Sequence, residues 1–183
     1  HQYPKVKLQL NLLNRRVDLI EEGFDLVIRI GKLEDSRLIA KPLGKIRRKM
    51  YTSPNYLCQN KPIKSIQQLS QSDFLLMTSV QNNGHVFLTS GEQQHELKVM
   101  PKMLIDDFSM LKQMTIDGLG VAIIPDYMCQ QELINGKLVE VLPTWGVPEV
   151  DVYVLYPKHK LNIPKVKAFV TFIQQVFKQR LRN

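Results

Sequence analysis

The sequence predicts an α/β fold with two sheets. Segments with a strand pattern alternate with segments with a helix pattern in both halves of the chain, which is typical of this class. Residues 17–31 form the clearest unit, in which a helical pattern is followed by a short apolar run that ends at Gly31. We expect this run to be a strand buried on both faces. No linker divides the chain cleanly, which favours two lobes joined by crossing strands.

The first 52 residues are predicted to contain one helix and four extended segments, one of which is the apolar run that ends at Gly31. Apolar and polar residues alternate over 6–12, the pattern of a half-buried strand. Residues 17–24 have apolar side chains at helical spacing, and Gly23 is the expected left-handed end of that helix. Residues 38–43 predict a strand broken by Pro42 and Gly44, and 46–52 a further extended segment.

The middle of the chain contains clear helix starts. Ser53 is suited to cap a short helix that begins at Pro54, and residues 66–69 give a second short helix. Residues 74–77 form a compact apolar strand. A hairpin is predicted from 86–89 and 97–103, with its turn near Ser90-Gly91-Glu92.

Strand and helix patterns also alternate in the last third of the chain. Asp106 or Asp107 caps a helix that starts at Phe108 and ends at Gly118. The remaining predicted segments are a strand at 121–124 closed by Pro125, a helix at 127–134, and strands at 138–142 and 150–156. Pro164 then begins a long amphipathic helix, whose apolar stripe we expect to pack on the first sheet: Val166, Phe169, Val170, Ile173, Val176 and Phe177.

Composition limits the possible functions. The 183 residues are 44% hydrophobic and 23% charged, which allows a core of useful size. No apolar run approaches the roughly 20 residues of a membrane helix. The formal net charge is +8, but the basic residues are scattered, without zinc-finger spacing or an RNA-binding aromatic signature. We therefore interpret their clusters, such as 45–49, as solvated faces.

No enzyme or metal motif stands out. The four histidines are dispersed, and the adjacent Glu21 and Glu22 would diverge on a helix. Nucleophile-elbow, phosphate-loop and dinucleotide patterns are absent from the sequence, so neither an enzyme nor a cofactor is predicted. Cys58 and Cys129 lie far apart without a CxxC pattern, which suits a reducing compartment. Inert thiols and a redox-sensing pair both remain open.

Several segments together resemble the C-terminal effector-binding domain of LysR-type transcriptional regulators. They occur in the family's order over essentially the whole chain and read YPxVxL at 3–8, VDLIEEGFDLVIRIG at 17–31, DSRLIAKPLG, SPNYL, DGLGVAIIP, GKLVEVLP, and LYP followed by PKVKAF. The resemblance implies a fold similar to type 2 periplasmic binding proteins, with two Rossmann-like lobes, a ligand cleft and two crossover strands. Lobe I would be 1–52 plus 152–183, lobe II would be 53–151, and the hinge residues would be Thr52, Ser53 and Tyr153.

The resemblance also implies a function. The domain would sense a small organic effector, assemble as a homodimer or tetramer in the cytoplasm, and modulate promoter DNA binding by an N-terminal domain that lies outside this sequence. The helix at 108–117 would be a candidate subunit contact. The family's domain begins with a strand and a helix before residue 3, so we expect both to be missing here, along with the native N-terminus. A solute-binding protein of a transport system is the alternative.

Candidate effector residues follow from the rule that ligands bind beyond the carboxyl ends of strands. Ile30 and Gly31 end one strand, where Gly31 could also serve only a turn. Thr78 and Ser79 end another, and their hydroxyls could bind a carboxylate or carbonyl, or simply form a turn.

The helix beginning at Asp107-Phe108 offers free N–H groups to an anion. Asp107 is more suited to capping than to ligand contact, Phe108 could line the pocket or belong to the core, and Pro125 would close the far side. For Arg29 we favour a structural ion pair with Asp25 or Glu34 over anion binding.

Overall fold

The computed structural model describes residues 3–15, 17–33, 37–78 and 84–180. The chain divides into two compact units. Unit 1 contains residues 1–46 and 150–183, and unit 2 contains residues 47–149.

The described helices and strands are β1 (Val27–Ile30), β2 (Leu38–Thr52), α1 (Pro54–Gln59), α2 (Ile66–Ser70), β3 (Phe74–Met77), β4 (His85–Ser90), β5 (Gln93–Lys98), β6 (Pro101–Ile105), α3 (Phe108–Ile116), β7 (Val121–Pro125), α4 (Gln130–Ile134), β8 (Val139–Glu140), β9 (Val147–Pro157) and α5 (Pro164–Arg180).

Unit 2 is built on a mixed sheet. The C-terminal part of β2 pairs antiparallel with β7, so that Arg48 lies opposite Pro125 and Tyr51 opposite Ala122. Strand β3 runs parallel to both β7 and β6, and β8 pairs with the last residues of β2. Because β3, β6 and β7 are parallel, their carboxyl ends lie at the same edge of the sheet.

Two hydrophobic clusters cover opposite faces of this sheet. Neighbouring residues of a strand point to opposite faces, and Met50 and Tyr51 are both buried but belong to different clusters. The Met50 core contains Met50, Tyr56, Leu69, Phe74, Leu76, Val86, Leu88, Leu97, Val99, Val121 and Val141. The Tyr51 core contains Tyr51, Leu75, Met77, Leu111, Ala122, Ile124, Cys129 and Leu138. Since both faces are covered, all four residues of β3 are buried, as its apolar run predicts.

The helix starts in unit 2 are confirmed. Ser53 caps α1, and its Oγ accepts a hydrogen bond from the Tyr56 N–H at 3.2 Å, with Pro54 as the first helical residue. Ser65 caps α2 in the same way. A side-chain oxygen at the cap satisfies one of the N–H groups that a helix leaves unpaired at its start.

The predicted hairpin is only partly right. Its turn lies at Gly91-Glu92 as expected, but its second strand is Gln93–Lys98 rather than 97–103. The strand is interrupted at residues 99–100, where Met100 is 91% exposed, and Pro101, the first residue of β6, supplies no N–H for pairing. Strand β6 is a separate element that joins the main sheet beside β3.

Unit 1 contains the smaller set of described elements. Strand β1 pairs antiparallel with β9, and α5 packs on β2 and β9. Its core consists of Leu43, Ile46, Val152, Val154, Tyr156, Val166 and Val170, with Ile173 and Phe177 partly buried against it. The expectation that the amphipathic helix packs on the first sheet is therefore confirmed.

Three predictions near the N-terminus are wrong. Residues 6–12 form no strand, and Leu10 and Leu12 are 72% and 97% exposed. Residues 17–24 form turns instead of a helix, although Gly23 does have a φ of +74°. Strand β1 is not buried on both faces, since Ile28 and Ile30 are exposed.

These errors have local physical causes. An alternating pattern produces a strand only where a neighbouring strand supplies hydrogen bonds, and residues 6–12 pair with no described strand. In the 17–24 segment the Asp18 carboxylate accepts hydrogen bonds from the Ile20 and Glu21 N–H groups at 3.0 and 3.1 Å, as at a helix start. The Phe24 N–H then donates to the Leu19 carbonyl, with Gly23 in the left-handed conformation, which ends the helical turn before a helix can form. Strand β1 ends the order of paired strands, so an apolar run is not enough to bury it.

Other boundaries also differ. Residues 38–52 form one strand without a break at Pro42 or Gly44; Gly44 has a φ of +149°, a conformation open to glycine. The predicted helix at 127–134 is a 3₁₀ turn at Asp126–Met128 followed by α4. Strand β8 is shorter than 138–142, and β9 is longer than 150–156.

The close approach of Gly120 to β3 yields a testable prediction. A Cβ at Gly120 would lie 2.3 Å from the Asp73 carbonyl oxygen, a backbone atom, whereas a Cβ at Gly146 would meet nothing within 4 Å. The Gly120 carbonyl also accepts the hydrogen bond of the buried Thr52 hydroxyl at 2.9 Å. Gly120→Ala should lower the free energy of unfolding by about 1–3 kcal/mol or more, because the backbone must shift.

Urea denaturation of both alanine variants provides the measurement and its control. Gly146→Ala should change stability by no more than about 0.5 kcal/mol. Equal stability of the two variants would show that β3 and the segment before β7 are not packed as described.

Candidate functional site

Four of the predicted effector residues follow the carboxyl ends of neighbouring parallel strands in unit 2. Thr78 follows β3, Asp107 and Phe108 follow β6, and Pro125 ends β7. The pairing of these three strands therefore brings them to one edge of the sheet, which we call the carboxyl edge. Ser79 lies outside the described residues. In open α/β sheets this edge is where ligands bind.

Asp107 acts as the cap of α3. Its Oδ1 accepts a hydrogen bond from the Met110 N–H at 2.7 Å. The first turn of α3 follows β6 directly, and Phe108 is half-buried against the Tyr51 core. The capping role given to Asp107 from the sequence is thus present in the structure. The ring of Phe108 makes core contacts, while Thr78 is exposed.

Arg48 lies at the same edge but was not among the predicted site residues. It stands opposite Pro125, the last residue of β7. Its Nη2 donates a hydrogen bond to the Pro148 carbonyl at 3.1 Å, and its Nε is buried without a hydrogen-bond partner. Burial lowers the pKa of the Arg48 guanidinium from its ordinary value.

The two neighbours of Arg48 in β2, unlike Arg48, form ion pairs with carboxylates. Arg47 pairs with Asp126 at 3.3 Å, and Lys49 pairs with Glu140 at 2.6 Å. No ion pair joins Arg48 to a carboxylate in the described part of the chain. From the sequence, residues 45–49 were interpreted as one solvated cluster. The signal that separates Arg48 is the period-two pattern, which places it on the same face as the buried Met50.

The two predicted effector residues of unit 1, Ile30 and Gly31, lie at the end of β1. Ile30 is 57% exposed. Gly31 has a φ of +102°, and its N–H donates to the Asp151 carbonyl at 2.9 Å. That conformation favours glycine, so Gly31 serves a turn there.

The expected ion pair between Arg29 and Asp25 is wrong. The Asp25 carboxylate is held by Lys160 and Lys165, each at 2.8 Å. These two ammonium groups donate hydrogen bonds to it and lower its pKa. The other proposed partner of Arg29, Glu34, lies outside the described residues.

The residues predicted as a hinge, Thr52, Ser53 and Tyr153, lie a few residues beyond the places where the chain passes between the compact units. Those passages fall at residues 46–47 and 149–150. Thr52 is buried in unit 2, and Ser53 caps α1. Tyr153 lies in unit 1 opposite Arg29 in the pairing of β1 with β9.

The two cysteines have contrasting environments. Cys58 is exposed and Cys129 is buried. Burial raises the pKa of the Cys129 thiol to about 12, which keeps it protonated near neutral pH and favours the interpretation as an inert thiol. Nearby, Lys112 donates a hydrogen bond to Glu132 at 2.6 Å and lowers the pKa of that carboxyl.

The described residues form neither a metal cluster nor a membrane-spanning helix. They contain no group of three or more His, Cys, Asp or Glu side chains placed to hold a metal ion. None of their helices combines the length and apolarity needed to cross a membrane.

The fold is shared by regulatory domains of known structure. The full-length Vibrio cholerae virulence activator AphB, described as a member of the LTTR family, is 26% identical with a TM-score of 0.82, and the match covers 94% of this chain and 59% of that one. The CrgA regulatory domain, from a LysR-type regulator of Neisseria meningitidis, matches at a TM-score of 0.84 and 24% identity over 96% of this chain and 86% of that one. The predicted α/β class is confirmed, and the fold is that of the regulatory domains of LysR-type regulators.

The family assignment comes from the sequence comparison. The model of the LysR substrate binding domain matches residues 1–178, and the chain belongs to this family. An HTH-type transcriptional regulator of Xanthomonas campestris pv. campestris is 32% identical over 176 residues, 94% of this chain and 51% of its own length. The chain thus spans about half the length of the curated relatives it matches.

The cap of α3 gives a second prediction. Asp107→Ala should lower the free energy of unfolding by about 0.5–2 kcal/mol, because the Met110 N–H loses its acceptor. Asp107→Asn keeps a side-chain oxygen and should stay within a few tenths of a kcal/mol of the native protein. Thermal unfolding of the two variants measures the difference. If the alanine variant were as stable as the asparagine variant, Asp107 would not be the cap.

Proposed function

We propose that this chain is the effector-sensing and oligomerisation domain of a LysR-type transcriptional regulator. The family match over residues 1–178 carries the proposal. In it, units 1 and 2 correspond to two lobes, and a small organic effector binds at the carboxyl edge of unit 2. The expected lobe I (1–52 plus 152–183), lobe II (53–151) and the hinge at Thr52, Ser53 and Tyr153 belong to this proposal.

The local structure of unit 2 supports an effector at this edge. Three parallel strands end there, which is where open α/β sheets bind ligands. Thr78 contributes an exposed hydroxyl, and Arg48 contributes a positive charge. From unit 1, Ile30 and Gly31 are proposed as further effector contacts, because they end β1.

Regulation requires that the effector binds two arrangements of the protein with different affinity. We propose that its binding biases lobe or subunit arrangement, and thereby promoter binding by an N-terminal domain of the helix-turn-helix type. A homodimer or tetramer in the cytoplasm, with α3 at a subunit contact, completes the proposal. The relatives named above are transcriptional regulators, which supports this function over a transport solute-binding protein or an enzyme.

A ligand screen tests the proposal. The melting temperature of the intact protein is measured with aromatic acids, short carboxylates, amino acids and their neutral analogues. A ligand at 100 times its Kd should add about 2.7 kcal/mol to the stability of the state that binds it. We expect at least one compound to raise the melting temperature and to change promoter binding in a gel-shift assay.

The two readouts have different consequences. Stabilisation together with a change in DNA binding supports a sensing domain. A compound that stabilises the protein without any effect on promoter binding contradicts regulation, and a complete lack of response contradicts effector binding.

A further inference from the structure

We propose that Arg48 binds the carboxylate group of an organic acid at the carboxyl edge of unit 2. This inference rests on the proposed sensing function and adds to it the chemical class of the effector and the residue that recognises it. Three features of Arg48 support this assignment: it has no counter-charge among the described residues, it lies at the carboxyl edge of the sheet, and its guanidinium has N–H donors that remain available.

The first observation concerns charge. Within the described residues, Arg48 makes one hydrogen bond, to the Pro148 carbonyl, and no ion pair. Its Nε is shielded from solvent and has no acceptor. A cation withdrawn from water costs free energy unless an anion or enough hydrogen-bond acceptors replace the solvent. An anion at this position would restore that balance.

The second observation concerns position. In β2, Arg48 shares a face with Met50, and the cross-strand neighbours on this face are Pro125 and Ile123. Arg47 and Lys49 point to the other face, where Asp126 and Glu140 neutralise them. Three successive basic residues thus divide into two that are paired and one that is not. The unpaired one is opposite the end of a parallel strand, where α/β proteins bind ligands.

The third observation concerns hydrogen bonding. A guanidinium group has five N–H donors in a fixed plane. The Pro148 carbonyl accepts one of them, from Nη2 at 3.1 Å. The Nε–H is shielded from solvent, so the remaining Nη N–H groups are the ones that can form the two parallel hydrogen bonds that a carboxylate accepts from arginine. A single unpaired positive charge also matches one carboxylate better than a dianion.

Paired acids and amides test the charge requirement. The probes are two monocarboxylates, each with its neutral amide: benzoate and benzamide, and butyrate and butyramide, added to the intact protein at equal concentration and ionic strength. Sulfate is added as an inorganic anion. We expect an acid to raise the melting temperature while its amide and sulfate do not.

Three variants then test the residue. Arg48→Met removes the charge but keeps an apolar stem, and the affinity for the acid should fall on the order of tenfold or more, as expected for a charged hydrogen-bonded pair. Arg48→Lys keeps the charge but loses the planar pair of N–H donors. Its affinity for the acid should lie between that of Arg48→Met and that of the native protein. Arg47→Met, the matched control, should change the affinity by less than about twofold, because Arg47 points to the other face.

The stability of the ligand-free variants separates binding from a structural role. Since Arg48 has no counter-charge, Arg48→Met should melt no lower than Arg47→Met without ligand. A loss of stability in Arg48→Met with unchanged acid binding would show that Arg48 only supports the fold. If Arg48→Met does not fold, the reduced acid affinity of Arg48→Lys carries the test, and native affinity in that variant overturns the assignment.

The remaining outcomes distinguish this inference from the proposed function. Equal shifts with acid and amide, or with sulfate and acid, would overturn the carboxylate assignment and leave sensing intact. If no probe in either the acid and amide pairs or the wider screen binds the protein, the sensing function itself fails.

Discussion

The register of β2 is the constraint on which the rest of the molecule depends. This one strand of 15 residues supplies Leu43 and Ile46 to the core of unit 1, and it then supplies Met50 and Tyr51 to the two cores of unit 2. A shift of one residue would exchange the two faces of the strand and would place Met50 and Tyr51 in the wrong cores. The strand also belongs to both compact units, so its pairing with β7 and β9 fixes elements that are distant in sequence.

The same register distributes charge in unit 2. Since Met50 must point into its core, Arg48 must lie on that face, beside the end of β7, and Arg47 and Lys49 must lie on the other. Two carboxylates neutralise the second pair. The packing of apolar residues therefore produces a partly buried positive charge at the carboxyl edge, next to Pro125 and on the sheet edge where Thr78 and α3 follow their strands.

Local signals explain which elements could be predicted. Ser53, Asp107 and Pro164 mark helix starts by their own chemistry, and the buried runs of β3 and β7 do not depend on distant partners for their pattern. The strand predicted at 6–12 is wrong because an alternating pattern needs a neighbouring strand to pair with. The helix predicted at 17–24 is wrong because the same residues form a turn. The carboxyl-edge residues could be named because they follow strands. Arg48 could not, because its desolvation arises from β7 and β9, which lie far along the chain.

The most direct measurement is the ¹H–¹⁵N signal of the Arg48 Nε–H group during titration of the intact protein with benzoate and, separately, with benzamide. We expect a saturable change of this signal with the acid, at the concentration that raises the melting temperature, and no change with the amide. The Arg47 Nε–H signal should change little with either compound. An unchanged Arg48 signal during acid binding detected at other residues would contradict the claim that β2 carries the effector-binding charge.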